Sequence, residues 1–170
     1  HRGSSAASDV YKRQEAQERL TRAIAALDCG DRRTPEEIAA LSLSEATLYF
    51  LENDLIAAKV SFVFAWRTSP DIWFPALGED LRKLYDEAVA EAINADAAQG
   101  EIHLSEPLPR GYKAALNGVS ADFPVTVDSG RYLVQIYDRQ EVRLGEQPYV
   151  APGESAVSYT HLRAHETLHY

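Results

Sequence analysis

The chain has 170 residues, of which 45% are hydrophobic and 25% charged. That is globular composition, with room for one ordinary domain or two small ones. The net charge of −9 makes phosphate backbones and anionic membrane surfaces poor partners, and no apolar run approaches the roughly 18 residues of a transmembrane helix.

The first stretch, His1 to Gln14, reads HRGSSAASDVYKRQ and is set aside as a foreign extension, disordered or frayed. A helical segment is expected over residues 15–98. Leu20, Ile24 and Leu27 recur at i, i+4 and i+7, an apolar stripe on a first helix that Gly30 stops. Thr34-Pro35-Glu36-Glu37 opens a second helix: Thr34 caps it, Pro35 suits its first position and Glu37 closes a capping box. Asn53-Asp54 breaks that helix and caps the next, Leu55 to Thr68. This third helix carries Ile56, Val60, Phe62, Val63, Phe64 and Trp66 around much of its circumference, so burial on several sides is expected. Ser69-Pro70 ends it. A further amphipathic helix runs from Glu79 to about Asn94, with Leu81, Leu84, Tyr85, Ala88 and Val89 on one face. Asp80, Glu87 and Glu91 read as its solvated side. Asp28, Asp31 and Asp54 read as cap and turn residues. Trp66, Trp73 and Phe74 are the candidate partner-binding residues, as an aromatic hot spot; the alternative is that they plug a core between helices.

After Gly100 the period shortens to that of strands. Ile102-His103-Leu104 alternates, Asn117-Gly118 and Asp128-Ser129-Gly130 signal turns, and Arg131 to Tyr137 puts Tyr132, Val134 and Ile136 on one face. Short strands over Glu141–Leu144 and Pro148–Val150 complete a small antiparallel β-sandwich over residues 99–155. The expected fold class is α+β, an N-terminal helical bundle followed by this sandwich. A foreign tail, residues 156–170, closes the chain.

Within that tail, His165-Glu166-Thr167-Leu168-His169 matches H-E-x-x-H, the pattern in which two histidines one helical turn apart bind zinc and the glutamate activates a water. His161 precedes it by four residues. The motif ends one residue before the chain does, where a helix frays and nothing supplies a packed second shell. A zinc peptidase using His165, Glu166 and His169 therefore stands only as an alternative, and no metal, cofactor or catalytic residue is expected. His103 lies in a strand without a second histidine, and Cys29 is the only cysteine, which rules out an internal disulfide.

Three resemblances bear on this reading. SAASDVYKRQ near the start and VSYTHLRAHET near the end resemble peptides translated from sequencing-adapter DNA at the edges of metagenomic reads. The stretch they enclose is more acidic than the whole. Methionine is absent even at position 1, so a signal peptide would lie beyond view. Residues from about Ala39 to Ile72 resemble one tetratricopeptide repeat: Ala46 and Tyr49 take the small and aromatic positions of its first helix, Ala58, Phe62 and Ala65 those of its second, and Pro70 the terminating one. Ser42 and Glu45 stand where that repeat usually has Trp and Leu. Residues from about Gly100 to Glu154 resemble a PEGA domain, through Pro109-Arg110-Gly111-Tyr112, Asn117-Gly118, Pro124 and Gly130 to Ile136. The Glu and Ala of its signature are replaced, and the glycine after its last long strand is absent. Together these resemblances imply a non-catalytic, periplasmic or envelope module that binds or organises a protein or envelope component. A cytoplasmic peptide-binding adaptor is the other reading of the helices.

Overall fold

The structure is a computed structural model that describes residues 2–95 and 98–158. Among them four α-helices precede a set of short strands, with one further strand between the first two helices, an α+β arrangement. The helices are α1 (Arg2–Ala25), α2 (Pro35–Leu51), α3 (Leu55–Thr68) and α4 (Glu79–Asn94). Their ends follow the expected local chemistry. Thr34 Oγ1 accepts from the Glu37 N–H while the Glu37 side chain accepts from the Thr34 N–H, a complete capping box ahead of Pro35. Asp54 accepts from the Ala57 N–H at 3.0 Å and starts α3, and the turn before it is closed by Asn53 at φ 61°.

α2 and α3 form an antiparallel hairpin, and α4 lies along the other side of α3. Small residues allow the close approach: Ala39, Ala46 and Ala58 have no exposed surface and Ala65 almost none. Leu43, Phe62, Leu81, Leu84 and Tyr85 fill the space between. Phe62 meets Tyr85 edge-on at 5.6 Å and Trp73 at 6.3 Å. α3 is thus flanked by α2, by α4 and by the sheet region, although Ile56, part of its expected apolar surface, is 81% exposed.

The strands are β1 (Gly30–Asp31), β2 (Gln99–Leu104), β3 (Tyr112–Leu116), β4 (Val119–Ser120), β5 (Val125–Asp128), β6 (Gly130–Arg131), β7 (Val134–Asp138), β8 (Glu141–Glu146), β9 (Tyr149–Val150) and β10 (Ser155–Ser158). One sheet has the order β1-β8-β7-β3-β4, a second β10-β2-β5, and β6 pairs with β9. All pairs are antiparallel except β10 with β2. Ile102, Val127, Tyr132, Val134 and Val150 form the sandwich core. Asn117 and Gly118, both at positive φ, make the tight turn between β3 and β4.

Three expectations need correction or qualification. Residues 2–14, expected to be disordered or frayed, continue α1 without a break. Helix extends there by propagation from the packed turns near Leu20, and the described side chains of residues 5–14 remain exposed. The expected foreign tail from residue 156 begins inside a strand, because β10 runs beside β2 through Ser158. The histidine motif of the remaining tail, His161 to His169, lies outside the described residues.

The helices and the sandwich also pack on one another. Leu27, Ile38 and Phe64 form one buried cluster with Leu133 of the β half. The buried Gln135 side chain donates to the Leu27 carbonyl at 2.8 Å, and β1, which follows α1, is a strand of the larger sheet. The Asn117-Gly118 turn sits on the first turn of α2, where a Cβ on Gly118 would come 2.9 Å from Ile38 Cδ1.

Asp28, beside this junction, is raised above the ordinary aspartate range, by burial first and by the Glu146 carboxylate second. The folded state therefore holds a proton there more tightly than the unfolded chain does. The stability this gives is full below the unfolded pKa and is lost as pH rises through the raised folded value. Asp28→Asn should therefore melt at or above the parent at pH 7, with the gap closing in acid. Melting clearly below the parent at pH 7 would show the ionised carboxylate to be stabilising instead.

Candidate docking groove and helix–sandwich junction

The three aromatic residues singled out from sequence do not share a surface. Trp73 packs 5.2 Å from Tyr85 and joins the helical core, with the Arg82 guanidinium 5.1 Å from its ring centre. Trp66 is half-buried against the same cluster. Only Phe74 stands out, 44% exposed, at the start of the 3₁₀ turn Pro75–Leu77. Trp66 and Trp73 are thus partly buried against the helical core, while Phe74 is exposed.

Phe74 borders a hollow of about 410 Å³ that it shares with Ala23, Leu41 and Ser44. Those last three residues also line a groove of about 530 Å³ between α1 and α2. Leu20 of α1, Leu48 and Leu51 of α2 and Leu77 form the groove's apolar walls. The two hollows adjoin at the shared residues Ala23, Leu41 and Ser44. Leu51 is half exposed at the groove's far end, where the Gln17 amide donates to the Glu52 carboxylate at 3.3 Å. Sequence reasoning missed Leu41, Leu48 and Leu51. The available signal was their spacing, i, i+7 and i+10, a second apolar stripe on a helix whose first stripe faces α3.

Behind the groove, α2 is fixed to the sandwich by a polar network. Arg131 Nη1 donates to Glu45 Oε2 at 2.6 Å, with the side chains only 17% and 14% exposed. Ser61 Oγ donates to the same carboxylate oxygen at 3.0 Å, and Ser42 Oγ donates to the Ser61 carbonyl at 2.8 Å. Arg131 Nε donates to Gln147 Oε1 at 3.0 Å, and the guanidinium lies 4.9 Å from the centre of the Phe64 ring. Ser42 and Glu45, the two departures from the repeat pattern, are both in this network. On the other flank, Arg32 donates to the Gly118 carbonyl at 2.9 Å and stacks 4.1 Å from the Tyr137 ring centre.

Two ionisable groups elsewhere have charged partners. His103 Nε2 lies 3.3 Å from Glu101 on the half-exposed face of β2. Glu87 and Glu91, expected to be a solvated face, both reach Lys59, and the Glu91 hydrogen bond is the main cause of a raised Lys59 pKa. Cys29 is exposed. Among the described residues no three His, Cys, Asp or Glu side chains are grouped for a metal, and no helix is long and apolar enough to cross a membrane. No family model matches this chain, nor does any curated protein or solved structure.

Proposed function

We propose that the chain is a non-catalytic protein-interaction or scaffolding module of the cell envelope, which docks a partner in the α1–α2 groove and presents it from a rigid sandwich base. The observation that carries this reading is the groove itself. Its walls are leucine side chains, and an exposed aromatic stands at its end. Apolar grooves of this kind accept the apolar face of an amphipathic helix or peptide, and an exposed aromatic at a groove end is a typical anchor. The network at Arg131 supports the second half of the reading, since it resists rotation of α2 on the sheet. The envelope assignment rests on the PEGA-like resemblance alone.

The test uses the intact gene product in its own cells, with a photo-cross-linking amino acid at Phe74, at Leu51, or at Val119 on the sandwich as a control. Adducts from Phe74 and Leu51 in the envelope fraction support the reading. Leu48→Glu should lower the Phe74 adduct by about tenfold or more, the scale of losing a hot-spot contact, without changing the helical circular dichroism. Adducts found only in the cytosol favour the adaptor. Cross-linking from Val119 alone would sink the groove.

A further inference from the structure

A separate cleft of about 280 Å³ lies where α3 and α4 meet β6 and β9. It shares no lining residue with the α1–α2 groove, so a ligand here is independent of any partner docked there. Its α3 wall carries Lys59, Val63 and Arg67 at i, i+4 and i+8, one stripe about 12 Å long. Val60, Val63, Ala88 and Ala92 give it an apolar floor. Among the described residues three cations line it, and two are already committed. Lys59 is held by Glu91 at 2.9 Å and Glu87 at 3.5 Å, and Arg131 is held by Glu45 and Gln147.

Arg67 differs. Its Nη1 donates to the Ser129 carbonyl at 2.9 Å, and its guanidinium is 6.0 Å from the Tyr132 ring centre. Among the described residues no carboxylate reaches it within ion-pair distance. A half-buried guanidinium has five N–H donors and is ordinarily matched to a carboxylate or phosphate. Gly130 keeps this arrangement open, because a Cβ there would collide with Arg67 Nη1. Among the described residues the anions of the cleft are Glu91, spent on Lys59, and Asp128, exposed on the sheet side.

We propose that this cleft binds a small carboxylate carried next to an apolar group, with the carboxylate on Arg67 and the apolar group on the Val60, Val63 and Ala92 floor. The volume suits one large apolar amino acid and falls just under the usual range for small-molecule sites. The chemistry is that of a free apolar amino acid or of a peptide C-terminus. Asp128 separates the two, because only the free amino acid brings an ammonium for it.

Calorimetric titration of the full chain with L-leucine, N-acetyl-L-leucine and L-leucinamide tests this. At least one of the two acids should bind and the amide should not. Leucine binding better than its acetyl derivative identifies the free amino acid, and the reverse identifies a peptide end. Arg67→Gln should weaken binding by about tenfold or more, as loss of charge-assisted hydrogen bonds does. Because Arg67 also braces Ser129, a second variant leaves every charge in place: Ala92→Leu should fill the cleft and abolish binding with the melting temperature unchanged. Absence of binding by both acids at millimolar concentration overturns the proposal. So does equal binding of the amide, or undiminished binding in Arg67→Gln.

Discussion

Replacing Arg131 by methionine should lower the unfolding free energy by about 3–5 kcal/mol, the usual result of removing one partner from a buried ion pair. The loss has several sources. Glu45 would lose its cation in a site 14% exposed, keeping the Ser61 hydroxyl as a hydrogen-bond donor. Gln147 would lose the guanidinium that binds its amide oxygen, and Phe64 the cation over its ring. The two partners are 86 positions apart, so the contact exists only once helices and sandwich have come together. The companion variant Glu45→Leu/Arg131→Met removes both charges at once. It should recover most of the loss, because no buried charge is left uncompensated and apolar replacements of such pairs are often neutral or better. Urea denaturation of the parent, the single and the double variant reads all three numbers. A single variant costing under about 1 kcal/mol, the range of solvent-exposed pairs, would mean that Arg131 is not desolvated at this junction.

How far these contacts were legible in the sequence depends on their range. The capping box at Thr34, the cap at Asp54 and the Asn117-Gly118 turn are local, each a matter of three or four neighbouring residues, and each reads directly from residue type. Helical and alternating periods likewise divide the chain near Gly100. The junction is invisible at that level. Gly30–Asp31 is too short to show a period and becomes a strand only because β8 lies beside it. Ser155–Ser158 becomes one through a parallel pairing with β2, whose residues are far away in the chain, and parallel partners leave no local turn signal. Glu45 reads as an ordinary helix-surface acid until Arg131 arrives. The aromatic residues show the same limit from another side: Trp73 and Phe74 are adjacent and equally apolar, yet one faces Tyr85 and the other solvent. What decides between them is the path of the Asp71–Gly78 connection, which periodicity does not specify. The groove went unread, although a helix with two apolar stripes must bury both or leave one for a partner.

Phe62→Ala tests the helical core on which that groove depends, and should cost about 3–5 kcal/mol. The ring has no exposed surface and meets Tyr85 edge-on and Trp73 at a tilt, contacts worth about 0.5–1.5 kcal/mol each beyond simple burial. Its neighbours cannot close the cavity easily. Ala58 and Ala65 are too small, and Trp73 is engaged by the Arg82 guanidinium 5.1 Å from its ring centre. Against a total stability of about 5–15 kcal/mol for a domain of this kind, such a loss leaves a marginal fold, and the near-ultraviolet signal of Trp73 should weaken with it. Phe62→Leu keeps most of the volume and should lose much less. The pair of variants matters because a helix hairpin held together by surface contacts alone would show neither the large loss nor the difference. A cost below about 1 kcal/mol for Phe62→Ala, far under the usual range for emptying a buried aromatic site, would mean that α3 does not sit between α2 and α4. The leucines of α2 would then have no fixed inner face from which to turn outward.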